Sequence, residues 1–265
     1  MLFYKPLCDR TPMVSNQRPT KIPPKALDAS VTGTKPTSVD SARGWAMARS
    51  PIGKKLLTGI TGIGLVAFVV VHLLGNLTLF FSASAYNQIA YIVEQLGPVT
   101  YLVELILGAI IFLHIYIGTQ IYLDKRKARP VDYAEYESAG EPSRQNLSSR
   151  TMIFSGLLLG LFLVAHLATF KFGTYYTLPE TAPGTARRDL SRLVFETFHQ
   201  PTYTTGYVVV MSLLGLHLRH GLWSALQSVG IATNPATYAA SAVLGSAIAL
   251  GFIGLPLSIY FGLIG

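Results

Sequence analysis

Apolar residues in this chain are gathered into long blocks rather than spread as the stripe of a soluble amphipathic helix. Five blocks stand out, at roughly Leu56–Phe81, Val99–Leu123, Met152–Phe172, Tyr203–Leu226 and Tyr238–Ile264. A run of about 18 or more apolar residues with few charges has the length of a bilayer-crossing helix. The expected fold class is therefore all-α, an integral membrane five-helix bundle over residues 51–265. Residues 1–50 read differently. Pro6, Pro12, Pro19, Pro23, Pro24 and Pro36 stand among Ser, Thr and Lys with no apolar period, a composition that cannot bury a core. This tail is expected to be disordered or draped on a partner. Between them, SARGWAMARSPIGKK sets Trp45 among Arg43, Arg49, Lys54 and Lys55, a mixture suited to the headgroup level of a membrane.

Composition agrees with the pattern. Half of the residues are hydrophobic and 13% are charged, against about 25% in a soluble domain. The single Cys8 excludes an internal disulfide framework and any Cys-ligated zinc or iron–sulfur site. There is no CxxCH, so a haem would be held without thioether bonds. The net charge of +8 is carried next to the apolar blocks and so acts on topology rather than on nucleic acid. Ten Lys and Arg lie up to Lys55, none between residues 82 and 98, and six between 124 and 150 (Lys125, Arg126, Lys127, Arg129, Arg144, Arg150). By the positive-inside rule the N-terminus and second loop face the cytoplasm, and an odd helix count puts the C-terminus on the far side of the cell membrane. The third loop, with Lys171, Arg187, Arg188 and Arg192, runs partly against this assignment. No cleavable signal is read, since the first apolar block begins near Leu56.

Candidate chemistry lies in the histidines. Of six, four fall one each in the first four spans: His72, His114, His166 and His217. A lone His in an apolar helix is more often hydrogen-bonded core than ligand, but intramembrane ionisable residues are costly and usually functional. Depth sorts the four. At about 1.5 Å per residue, His72 lies roughly 25 Å from Lys55 and His166 roughly 24 Å from Arg150. His114 and His217 lie only about 15 Å from the same face. The expectation is two levels, each with two imidazoles from parallel neighbouring helices: His72 with His166 (distal) and His114 with His217 (proximal). Two axial imidazoles fill the coordination of a haem iron, which then carries electrons and does not bind oxygen. Two haems b between four helices are expected, their levels about 10 Å apart along the normal.

An internal echo supports this. Thr61-Gly62 stands eleven residues before His72, and Ser155-Gly156 eleven before His166. Eleven steps of about 100° return to the same face, so these hydroxyls should face the cytoplasmic-side haem and the glycines should admit its macrocycle. Gly206, eleven before His217, is expected to do the same for the other haem. Arg219, Lys54 and Lys55 are candidate propionate partners or snorkelling cations. His220 is expected nearer the interface than His217, and His199 at the surface. Glu104, inside the second span, should pair with a polar neighbour or exchange protons with a quinone. Asn76, Tyr86 and Asn87 cluster at the same end, as candidates for the same quinone site or as ordinary interfacial polar residues.

These residues carry a resemblance. SPIGKKLLTGITG leading to VHLLGNL, the AYNQIAYIVEQ loop, ARPVDYAEY and HLRHGLWSALQSVG resemble the cytochrome b558 subunit of succinate dehydrogenase. This is the single-chain di-haem anchor related to that of menaquinone-linked fumarate reductases, and the likeness spans about Ser50 to Gly265. It implies a proximal haem held from the second and fourth helices and a distal haem from the first and third. In HxxxGLxx the family's ligand is the first position, His217 rather than His220. It also implies a flavoprotein subunit and an iron–sulfur subunit as partners, which hold the FAD and the clusters. This anchor would then hand electrons to a membrane quinone, menaquinone by analogy. One departure is Gly215, where some such fumarate reductases carry a proton-conducting glutamate. The competing readings are a cytochrome b anchor of another quinone-linked respiratory enzyme, and a haem-free transporter or assembly scaffold. The first tends to draw several ligands from fewer helices, and the second gives no reason for two depth levels.

Overall fold

A computed structural model describes residues 50–128, 147–179, 187–231 and 234–265. The tail before Ser50, including Trp45, and the ARPVDYAEY segment beyond Ala128 lie outside the described residues. Eight helices are described: α1 Pro51–Leu77, α2 Ala83–Gln95, α3 Pro98–Ala128, the single turn α4 Leu147–Arg150, α5 Met152–His166, α6 Leu190–Phe198, α7 Pro201–Ser228 and α8 Pro235–Tyr260. A 3-10 turn, Thr78–Phe80, extends α1, and a π-helical turn, Leu167–Lys171, extends α5.

The helix starts are set by local chemistry. Four long helices, α1, α3, α7 and α8, begin on proline, whose fixed φ suits the first turn and whose missing N–H is not needed there. Ser50 accepts from Gly53 N, and Asn234 and Thr237 form a reciprocal capping box at α8. Gly97 makes the turn from α2 into α3 with a φ of +52°, a conformation that a side chain resists.

α1, α3, α5 and α8, with their extensions, are long and apolar enough to cross a membrane. The chain is a multi-pass membrane protein. Large apolar side chains face outwards, among them Leu105 at 71% and Phe112 at 73% exposure on α3, as lipid contact requires. The expected fourth span, Tyr203–Leu226, lies within α7. At 28 residues that helix is long enough but does not reach the apolarity of the other four. The reason is positional: α7 packs against α1, α5 and α8 at once, so it can carry His217, Arg219 and His220 inside the protein. The 82–98 stretch, expected as a loop, is mostly helix α2. Its AYNQIAY sequence buries Asn87 against α6.

α1, α3, α5 and α7 form a ring in which each packs on the next: α1 on α3, α3 on α5, α5 on α7 and α7 on α1. Successive members are antiparallel. Lys54 at the start of α1 pairs with Asp124 near the end of α3 at 2.5 Å, and Glu104 near the start of α3 pairs with Lys171 beyond α5. α8 lies outside the ring, against α7 and α1. Small residues allow the close approach, as usual between membrane helices. A Cβ on Gly215 would stand 2.9 Å from Ala249 Cβ, and one on Gly251 would stand 2.9 Å from Leu73 Cδ2. At the end opposite Lys54, Leu79, Val194, Phe198, Leu255 and Ile259 form a buried core.

Candidate functional site

The four span histidines belong one each to the four ring helices: His72 to α1, His114 to α3, His166 to α5 and His217 to α7. His72 and His166 are brought together. Their rings meet edge to face at a centroid distance of 5.8 Å and an interplanar angle of 90°. Their helices are parallel, but they are not the neighbours that the sequence suggests. They face each other across a diagonal of the ring, which leaves the axis of the bundle between them. His114 and His217 belong to the two helices of the other diagonal.

Each proximal imidazole is held by the helix next to it. Thr61 Oγ1 on α1 lies 3.1 Å from His114 Nδ1, and Ser155 Oγ on α5 lies 3.0 Å from His217 Nδ1. The Thr61 and Ser155 hydroxyls thus reach imidazoles of the next helices, and the two glycines lie against the same rings. A Cβ on Gly62 would lie 3.3 Å from His114 Cε1, and one on Gly156 would lie 3.3 Å from His217 Cε1. The glycines seat the imidazole rings themselves. Gly206 is exposed and a Cβ there would meet nothing within 4 Å; no contact ties it to His217.

At the distal level the partners are different. His166 Nδ1 lies 3.1 Å from Tyr207 Oη, and the Tyr207 ring is packed by Phe162, Phe170 and Phe198. Tyr207 is not among the residues expected from the sequence. The available signal was that a Tyr hydroxyl within an apolar helix needs a partner. His72 stacks on Phe68, and its Nε2 lies 3.4 Å from Asn76 Nδ2. That contact is long, and the same amide donates a shorter bond of 2.7 Å to the His72 carbonyl.

The other candidates separate into distinct settings. Tyr86 donates towards Asn76 Oδ1 at 3.5 Å, which joins it to the His72 end. Burial pushes its phenol up to about 12, with the Arg188 guanidinium pulling slightly back, so it remains a donor. Asn87, expected with them, belongs elsewhere: it donates to Asp189 Oδ1 at 2.9 Å and Ser191 Oγ at 3.0 Å and accepts from Ser191 N at 2.9 Å. It staples α2 to the start of α6. Glu104 is half-exposed and pairs with Lys171. Of the two expected possibilities, the polar partner is the one found.

At the Lys54 end, Arg219 donates to Tyr238 Oη at 3.3 Å, while its buried Nε has no partner among the described residues. His220 Nδ1, one residue on, is also buried without a partner, so that ring is more enclosed than expected. Arg188 Nε is a third such atom, at the opposite end. His199 is exposed as expected. Gly215 faces α8, so a side chain there would enter the α7–α8 contact rather than the interior of the ring.

Among the described residues no three His, Cys, Asp or Glu side chains gather to hold a bare metal ion. The donor set is paired imidazoles, and this fits a porphyrin-borne iron, which brings four of its own ligands. At 5.8 Å between ring centres, His72 and His166 are near enough for both to be held by one such iron. Comparison with protein-family profiles, with curated proteins and with solved structures finds no match.

Proposed function

We propose that this chain is a five-helix, di-haem cytochrome b that serves as the membrane anchor of a succinate:quinone oxidoreductase. The haem reading is supported by four ring helices that carry one imidazole each, with His72 and His166 meeting across one diagonal and His114 and His217 on the helices of the other. His72 and His166 would hold one haem b, and His114 and His217 the other. Ligation through His72 Nε2 requires Asn76 to give up only its long 3.4 Å contact, since its shorter bond goes to a backbone carbonyl. The orphaned Arg219 Nε and His220 Nδ1 beside the proximal pair are donors suited to a haem carboxylate, and Arg188 Nε is another at the distal end. Bound haem would supply one-electron carriage, and with two histidines holding each iron it would not bind oxygen.

The chain's own residues hold, orient and insulate. The Phe162 and Phe170 rings pack on the distal imidazole, and Phe198 joins them through Tyr207. α7 would be the fifth span, with His217, Arg219 and His220 partly sheltered by the helices packed on it. Asn76, Tyr86 and Glu104, near the distal level, remain the candidates for meeting a quinone. Asn87 leaves that set because its polar atoms are taken up in the α2–α6 staple. The N-terminus and the basic loop face the cytoplasm, where a flavoprotein and an iron–sulfur subunit would dock. The succinate assignment and the menaquinone expectation rest on the sequence resemblance.

Two measurements test this. A pyridine haemochrome assay on the purified chain should give two b-type haems per polypeptide, and a preparation without Soret absorbance would end the haem reading. In native membranes, succinate should reduce the b-type absorbance. Reduction by hydrogen or formate but not by succinate would assign the chain to another respiratory enzyme.

A further inference from the structure

We propose that Thr61 and Ser155 are positioning residues that fix the tautomer of the proximal imidazoles and so set the electron donation of His114 and His217 to the metal they hold. This rests on the haem reading and goes beyond it, because it concerns which ring nitrogen carries the proton and how that choice sets the potential.

The hydrogen bonds decide the tautomer. A hydroxyl has one hydrogen to give and two lone pairs to receive with. Thr61 Oγ1 lies 2.7 Å from Leu57 O and 3.1 Å from Thr58 O as well as 3.1 Å from His114 Nδ1. Carbonyl oxygens only accept, so the hydroxyl hydrogen goes to the backbone. The contact with the ring is then a bond only if His114 Nδ1 carries a hydrogen and donates it to Thr61. Ser155 repeats the arrangement on α5: Oγ lies 3.1 Å from Met152 O and 3.0 Å from His217 Nδ1. Only a hydrogen on His217 Nδ1 satisfies both contacts. In each ring, Nε2 is left with a free lone pair, the state in which imidazole binds a metal.

Burial makes the arrangement specific. Thr61 is 8% and Ser155 3% exposed, so water does not compete for either hydroxyl. Gly62 and Gly156 lie against the same rings, so close that an added Cβ would come within 3.3 Å of each imidazole Cε1, which restricts the rotation of the rings as well. The distal rings have other partners, a phenol and an amide, so the two levels are tuned by different groups.

The consequence is electronic. An imidazole that donates through Nδ1 to an acceptor is a more basic ligand through Nε2, and a more basic axial ligand favours ferric over ferrous iron. Removing the acceptor should raise the midpoint potential of the proximal haem and leave the distal one alone. The test is a potentiometric titration of the b-type absorbance in the full-length chain, comparing wild type with Thr61→Val, Thr61→Ser and Ser155→Ala. The expected result is an upward shift of one component in T61V and the same component in S155A, with T61S at the wild-type value. That component should be the one absent from His114→Ala. Should T61V lose the proximal haem altogether, T61S and S155A carry the test by themselves. The proposal is overturned if S155A leaves both components in place, if both shift together, or if T61S fails to restore the wild-type potential. A wild-type chain without b-type absorbance would instead defeat the haem reading on which it rests.

Discussion

The imidazoles of His72 and His166 meet edge to face, 5.8 Å apart, from helices that stand diagonally across a ring rather than side by side. Each of the four ring helices gives one histidine, so under the proposed reading each diagonal would supply one couple. α1 and α5 also give the other level a hydroxyl and a glycine, so two helices serve both levels. The spacing of eleven residues between Thr61 and His72, and between Ser155 and His166, is the sequence form of that double duty.

The glycine seats give the first prediction. Gly156→Ala places a Cβ 3.3 Å from His217 Cε1, so the ring must move by a few tenths of an ångström. Overpacking of this kind costs about 1–3 kcal/mol. Gly206→Ala is the control, because nothing lies within 4 Å of its Cβ. Haem content and thermal midpoint of the detergent-solubilised chain should fall for G156A and stay at wild type for G206A. Equal behaviour of the two variants would remove the seating role.

The Glu104–Lys171 ion pair gives the second. It joins the start of α3 to the π-helical turn after α5, with side-chain exposures of 42% and 35%. An exposed pair contributes only about 0–1 kcal/mol, but losing one partner leaves the other charge near lipid. Glu104→Gln and Lys171→Met should each lower the thermal midpoint, and the double variant should recover most of the loss. Additive losses would show that the two charges are not coupled.

A third prediction concerns the α2–α6 staple. Burial tends to raise the Asp189 carboxyl. Hydrogen bonds from Asn87 and Ser191, the Arg192 N–H and the Arg192 guanidinium outweigh that effect and hold it below the usual carboxylate range. A folded-state value below the unfolded one stabilises the protein above the unfolded value, near about 3.9, and that stabilisation is lost as pH falls through the folded value. Asp189→Asn should therefore lower the thermal midpoint at neutral pH, and the gap to wild type should close on acidification. A gap independent of pH would point to lost packing instead. Asn87→Ala should cost about 1–3 kcal/mol, since it leaves buried partners unsatisfied, with faster hydrogen exchange in residues 190–198.

Much of this architecture was legible in the sequence because a bilayer imposes a simple rule: apolar blocks of sufficient length span it. The two levels were legible too, because helical rise converts residue number into depth. What one dimension cannot supply is azimuth. Depth alone does not tell a neighbour from a diagonal, so the parallel helices of His72 and His166 look adjacent in the sequence and stand apart in the ring. Nor can depth tell whether Gly62 and Gly156 face a cofactor or a ring on the next helix. The Tyr203–Leu226 stretch looks more apolar in outline than it is, since α7 is shielded by three helices and carries polar residues that a lipid-facing span would not. Tyr207 and the staple made by Asn87 depend on contacts between segments far apart in the chain. No periodicity reports those.

The most direct test of the central claim is a redox-titrated difference spectrum of four single variants, His72→Ala, His166→Ala, His114→Ala and His217→Ala, beside the wild type. Two one-electron b-type components are expected in the wild type. His72→Ala and His166→Ala should abolish one of them, and His114→Ala and His217→Ala the other. Loss of the same component from His72→Ala and His114→Ala, whose helices are neighbours in the ring, would contradict the diagonal pairing, and a featureless wild-type spectrum would contradict the electron-carrier assignment altogether.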